Sequence, residues 1–81
     1  MHLSKLIKRS FTLAGHRTSI ALEPEFWDAL VQLAQRRGQS LSALIAEVDA
    51  SRGPESQLAS ALRVMALLTA GERYRPDQPP S

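Results

Sequence analysis

Arg17, Ser19 and Ala21 stand two residues apart in the stretch Arg17-Thr18-Ser19-Ile20-Ala21-Leu22. That spacing puts all three on one side of an extended strand. Their chemistry suits a nucleic-acid groove: arginine holds guanine through two hydrogen bonds, serine bonds base edges or a phosphate, and an alanine methyl meets a thymine methyl. Thr18, Ile20 and Leu22 form the opposite, buryable side. Two antiparallel copies of the strand about a two-fold axis would set such side chains in one row, and a two-stranded ribbon fits a major groove. The plainer reading is an ordinary half-exposed edge strand. Only helical patterns follow it, however, so the strand has an open edge and no further sheet to join.

Charge adds a second set of candidates. Residues 1–22 carry Lys5, Lys8, Arg9 and Arg17 and no acid, whereas residues 23–81 carry six bases against eight acids, for a net charge of +2. A basic arm on a slightly acidic body either meets a polyanion or serves as a solubilising tail. On the first reading Lys5, Lys8 and Arg9 contact phosphate, and His16 is a turn residue that touches phosphate. Ser40 precedes a helical pattern that begins at Leu41. It is an N-cap, or, with Ser42 and the free N–H groups of the helix start, a phosphate clamp.

Enzymatic chemistry is not expected. His2 and His16 have no acid or nucleophile at a useful spacing, and there is no phosphate-cradling glycine loop. The chain has no cysteine, so it has neither a disulfide nor a thiolate metal site, and no cofactor is implied. Residues 1–7 hold no apolar run of signal-peptide length, and no stretch approaches a membrane span. The expectation is a soluble protein of a reducing cytoplasm, with no membrane partner. At 81 residues a core is marginal, and self-association is the remaining way to reinforce it.

Around these residues the elements read in order. A second alternating stretch sets Ile7, Arg9, Phe11 and Leu13 on one side and Lys8, Ser10 and Thr12 on the other, before Ala14-Gly15-His16 breaks it. Residues 8–13 either form a hairpin with 17–22 in one chain, or act as an arm while 17–22 pairs across a dimer, or both hold together. Glu23-Pro24-Glu25 marks a helix start. Phe26, Leu30, Leu33 and Ala34 then recur at helical spacing, flanked by Trp27 and Val31, and the aromatic pair reads as core. Arg36-Arg37-Gly38 closes that helix. The next carries Leu41, Leu44, Ile45 and Val48 and frays towards Gly53-Pro54. A third helix spans about 55–70, with Leu58, Ala61, Leu62, Met65 and Leu68 as its stripe and Gly71 as its stop. The divisions are a basic arm over 1–16 with an added strand at 8–13 as an option, a core over 17–53, a third helix over 54–71 and a disordered tail over 72–81.

The pattern Arg17-Thr18-Ser19-Ile20-Ala21-Leu22-Glu23, then a helix, Arg37-Gly38-Gln39-Ser40 and a second helix resembles the ribbon-helix-helix DNA-binding proteins, the class of the Arc and MetJ repressors. The wider stretch from Lys8 through Gly15-His16-Arg17 to Phe26-Trp27 is similar to a small bacterial subfamily with a further downstream segment like residues 58–65. The resemblance covers about residues 5–70. It implies a mainly α fold with one short β-ribbon, an intertwined homodimer plus a third helix. Ile20, Leu22, Trp27, Leu30, Leu44, Ile45 and Val48 would then form the dimer core. It further implies a nucleoid-associated transcriptional regulator of double-stranded DNA, with Arg17, Ser19 and Ala21 reading bases and Ser40 gripping phosphate. The long basic arm and third helix depart from the simplest members, and Ala21 offers no hydrogen bond where a polar reader is common. The competing expectation is a protein-interaction module, an antitoxin or adaptor whose third helix docks a partner.

Overall fold

The computed structural model describes residues 5–53 and 57–73. Two strands and three helices follow one another: β1 (Ile7–Leu13), β2 (His16–Leu22), α1 (Pro24–Arg36), α2 (Leu41–Ser51) and α3 (Leu58–Arg73). Of the pairings the alternation left open, the hairpin within one chain is present. β1 and β2 run antiparallel, with Ile7 opposite Leu22, Arg9 opposite Ile20 and Leu13 opposite His16. The loop is therefore two residues long, and both take positive φ, 50° at Ala14 and 81° at Gly15. That backbone matches the right-handed twist of the flanking strands.

The helix boundaries follow local chemistry. Pro24 occupies the first turn of α1, where its missing N–H costs nothing, and Glu25 lies at the positive end of the helix. At the other end Gly38 takes φ 67°. The Gln39 N–H donates to the Ala34 carbonyl at 3.0 Å and the Gly38 N–H to that of Gln35 at 3.1 Å. These two bonds satisfy carbonyls that the helix end would leave bare. Ser40 then starts α2, its hydroxyl oxygen accepting the Ala43 N–H at 3.0 Å.

One core joins all the elements. Ile20 and Leu22 from β2, Trp27 and Leu30 from α1, Leu44 and Ile45 from α2, and Leu62 from α3 are each at most 3% exposed. On α1 it is Trp27 rather than Phe26 that lies in the core. Phe26 is half-buried, with the Arg63 guanidinium over its ring at 5.8 Å. On α3 the buried row is Leu58, Leu62, Ala66 and Thr69, whereas Leu68, expected on the inner stripe, is 64% exposed. The inner face advances by four, four and three residues and leaves Leu68 outward. α3 also continues through Gly71 to Arg73 instead of stopping there. A helical glycine costs only about 1 kcal/mol relative to alanine, so it weakens a helix without ending it. The tail expected over 72–81 lies outside the described residues from 74 onward.

Candidate nucleic-acid interface

The hairpin register decides which side chains share a face. Lys8 pairs with Ala21, Ser10 with Ser19 and Thr12 with Arg17. A two-residue hairpin loop makes the closing Leu13–His16 pair hydrogen-bonded, and the alternation then makes these three pairs the closer, non-hydrogen-bonded kind. The Ser10 and Ser19 hydroxyls meet across the strands at 3.2 Å. Apart from half-buried Ala21, the six side chains are exposed, with a cation near each end and no acid among them.

The other face of the hairpin is anchored. The Trp27 indole N–H donates to the Ile7 carbonyl at 2.8 Å. The Phe11 ring lies 5.9 Å from that of Trp27, tilted by 34°. The Arg9 guanidinium stacks over the same indole at 5.3 Å. Arg9 therefore lies on the opposite side of the hairpin from Lys8, which assigns it to covering Trp27. His16 is exposed at the closing pair beside the turn, and Lys5 is exposed just before β1.

Ser40 and Ser42 are exposed at the start of α2. Ser40 acts as a cap, its oxygen committed to the Ala43 N–H. The first two N–H groups of the helix, on Leu41 and Ser42, have no carbonyl within the helix to reach. Ile20, Leu22, Trp27, Leu30, Leu44, Ile45 and Val48, the set expected between two chains, are all buried by their own chain. The same alternation turns the backbone N–H and C=O groups of Arg17, Ser19 and Ala21 away from β1, so among the described residues β2 keeps one open edge.

Sequence reading passed over Ser10 and Thr12 as members of the exposed face. The signal was present in the alternation of Lys8, Ser10 and Thr12, but it could be used only once the pairing partner of 8–13 was known.

A ribbon-helix-helix domain family matches residues 6–70. The chain belongs to the ribbon-helix-helix family. Members are generally DNA-binding transcription regulators or antitoxins, non-enzymatic folds that typically form dimers. Among solved structures, an uncharacterized protein from Bordetella pertussis Tohama I is similar, with 36% sequence identity and a TM-score of 0.70 over 89% of this chain. The chain spans 64% of that protein's length. No curated protein matches significantly. The two-stranded β-ribbon followed by three helices is consistent with the fold of this family, and the match takes in most of α3. Among the described residues, no helix is long and apolar enough to cross a membrane.

Proposed function

We propose that this ribbon-helix-helix chain is a homodimeric, sequence-preferring DNA-binding regulator that lays its β-ribbon into the major groove. The observation that carries this is the acid-free exposed face of the hairpin, with Lys8 and Arg17 near its ends and hydroxyls between them. A duplex carries a phosphate charge every ~1.7 Å along its axis, so such a face is drawn to it before any base is read. Two chains join along the open edge of β2, which sets Arg17, Ser19 and Ala21 of both copies in the centre of the ribbon. Arg17 reads guanine, Ser19 a polar base edge and Ala21 a thymine methyl. Lys5 and Lys8, with His16 at the turn, lie towards phosphate. Ser42 and the free N–H groups at the α2 start clamp the backbone, with Ser40 holding that helix start in shape.

The test is selection of bound sequences from a randomised duplex pool, followed by affinity measurements. The wild-type chain enriches a motif with two-fold symmetry. Arg17→Ala costs ~1–3 kcal/mol of binding and relaxes the motif at one position in each half. A variant that binds and selects as the wild type does would refute the reading.

A second reading is supported by a different surface. Val64, Leu67 and Leu68 on α3 are 54%, 62% and 64% exposed. Val64 and Leu68 line an open groove of about 730 Å³ between α3 and the end of α2, together with Val48, Ala61 and Met65 among others. An apolar strip of this kind suits a protein partner, as in an antitoxin or adaptor. The two readings part at the duplex pool: on the DNA reading a motif is enriched and the variant carrying Val64→Glu and Leu68→Glu binds it as the wild type does, and on the adaptor reading no motif is enriched.

A further inference from the structure

β1 is not needed for a ribbon made from one strand of each chain, yet it is paired in full register with β2 and presents Lys8, Ser10 and Thr12 on the same face as Ala21, Ser19 and Arg17. Resting on the DNA-binding dimer proposed above, we infer that β1 supplies an outer row of contacts, in which Ser10 and Thr12 join Lys8 in holding the sugar–phosphate rims on either side of the groove while the central β2 strands read bases.

The argument is one of width. Joining two hairpins along the open edges of β2 makes a four-stranded sheet in the order β1-β2-β2-β1, with the two-fold axis at its centre. Neighbouring strands lie ~4.8 Å apart, which puts the two β1 strands roughly 14 Å from each other. The major groove is only ~12 Å wide. The two β2 strands therefore fit between the rims and the two β1 strands lie over them. What β1 presents there fits that place: one ammonium and two hydroxyls, all exposed, with no acid and no large apolar side chain. Hydroxyls and lysine bond phosphate oxygens, and contacts to phosphate carry no base code. The Ser10–Ser19 hydroxyl contact of 3.2 Å then links the outer row to the reading row, holding a base contact and a phosphate contact in one register.

The experiment uses the full chain and the randomised duplex pool. Ser10→Ala and Thr12→Val are made singly and together beside Arg17→Ala, with thermal melting to show that each exposed substitution leaves the fold in place. Because Ser10 is tied to Ser19, Thr12→Val is the variant that decides. Thr12→Val weakens binding several-fold, and the double variant weakens it on the order of tenfold. Both enrich the wild-type motif, and both keep the wild-type salt dependence, since a lost hydroxyl releases no counterion. Arg17→Ala, in contrast, changes the motif. A double variant that binds like the wild type overturns the outer row. So does a shift in the motif selected by Thr12→Val, which would make each hairpin a base-reading unit by itself. If Arg17→Ala changes the motif while these outcomes hold, only the outer row fails. A wild-type chain that enriches nothing overturns the DNA reading along with it.

Discussion

Ala14 holds φ 50° in the hairpin loop, a left-handed backbone that costs an alanine roughly 1–2 kcal/mol. Asparagine relieves part of that cost. Ala14→Asn is expected to stabilise the chain by ~0.5–1 kcal/mol, read as a rise of a few degrees in melting temperature. Gly15→Ala moves the other way by about 1 kcal/mol, because its φ of 81° disfavours any side chain although nothing lies within 4 Å of the added carbon. Trp27 is the single tryptophan and bonds the Ile7 carbonyl. Trp27→Phe takes one of its two donors from that carbonyl, leaving the Leu22 N–H of the strand ladder, and removes the best ring for Arg9, a loss of ~1 kcal/mol. Amide exchange should quicken first in β1. Equal quickening in α2 would show that Trp27 serves the core as a whole instead of the strand.

At the level of the elements, β2 has a paired edge and an open one, and they can be tested apart. The N–H of Ala21 points away from β1, so Ala21→Pro removes a donor from the open edge alone. Proline is tolerated on an edge strand. The expected outcome is a folded single-chain species in sedimentation, with Trp27 fluorescence unchanged. A variant that still dimerises would place the interface elsewhere. The hairpin was legible from its alternation, but its register was only half read. Ile7, Phe11 and Leu13 occupy odd positions, and Thr18, Ile20 and Leu22 even ones. Apolar rows face each other only if the loop has an even number of residues, as Ala14-Gly15 does. Counting His16 into the loop makes it odd and sets Leu13 beside Arg17. Arg9 was read with the other cations because charge is visible in sequence, whereas the stacking over Trp27, eighteen positions away, is not.

For the molecule as a whole, α3 is part of the core and not an appendage. Leu58, Leu62 and Ala66 are buried against the rest, and Arg63 bridges to Glu23 at 3.1 Å. Removing residues 54–81 strips these side chains from a small core, so the truncated chain is expected to lose cooperative thermal unfolding. A sharp transition in the truncated chain would show that 5–53 folds alone. The cations act together as well. On the proposed DNA reading, the logarithm of affinity for duplex DNA is expected to fall linearly with the logarithm of salt concentration, and Lys8→Ala to lower the slope by about 1 for each phosphate contact removed. An unchanged slope would take Lys8 off the phosphate.

What residues 17–53 say on their own is local, and it came through. The period of two, the proline and acids at one helix start, the glycine at its end and the serine at the next depend on neighbours within a few positions, so strand, helix, turn and cap could all be read in order. The resemblance carried by the same residues matched the family. Contacts between distant residues decided the rest. The loop of two residues set β1 against β2 in a register that adds Ser10 and Thr12 to the exposed face. Packing of α3 on α1 chose Leu62 and Ala66 for the inside and left Leu67 and Leu68 out. A helix apolar on several sides offers more than one face to bury, and only the neighbour it meets selects among them.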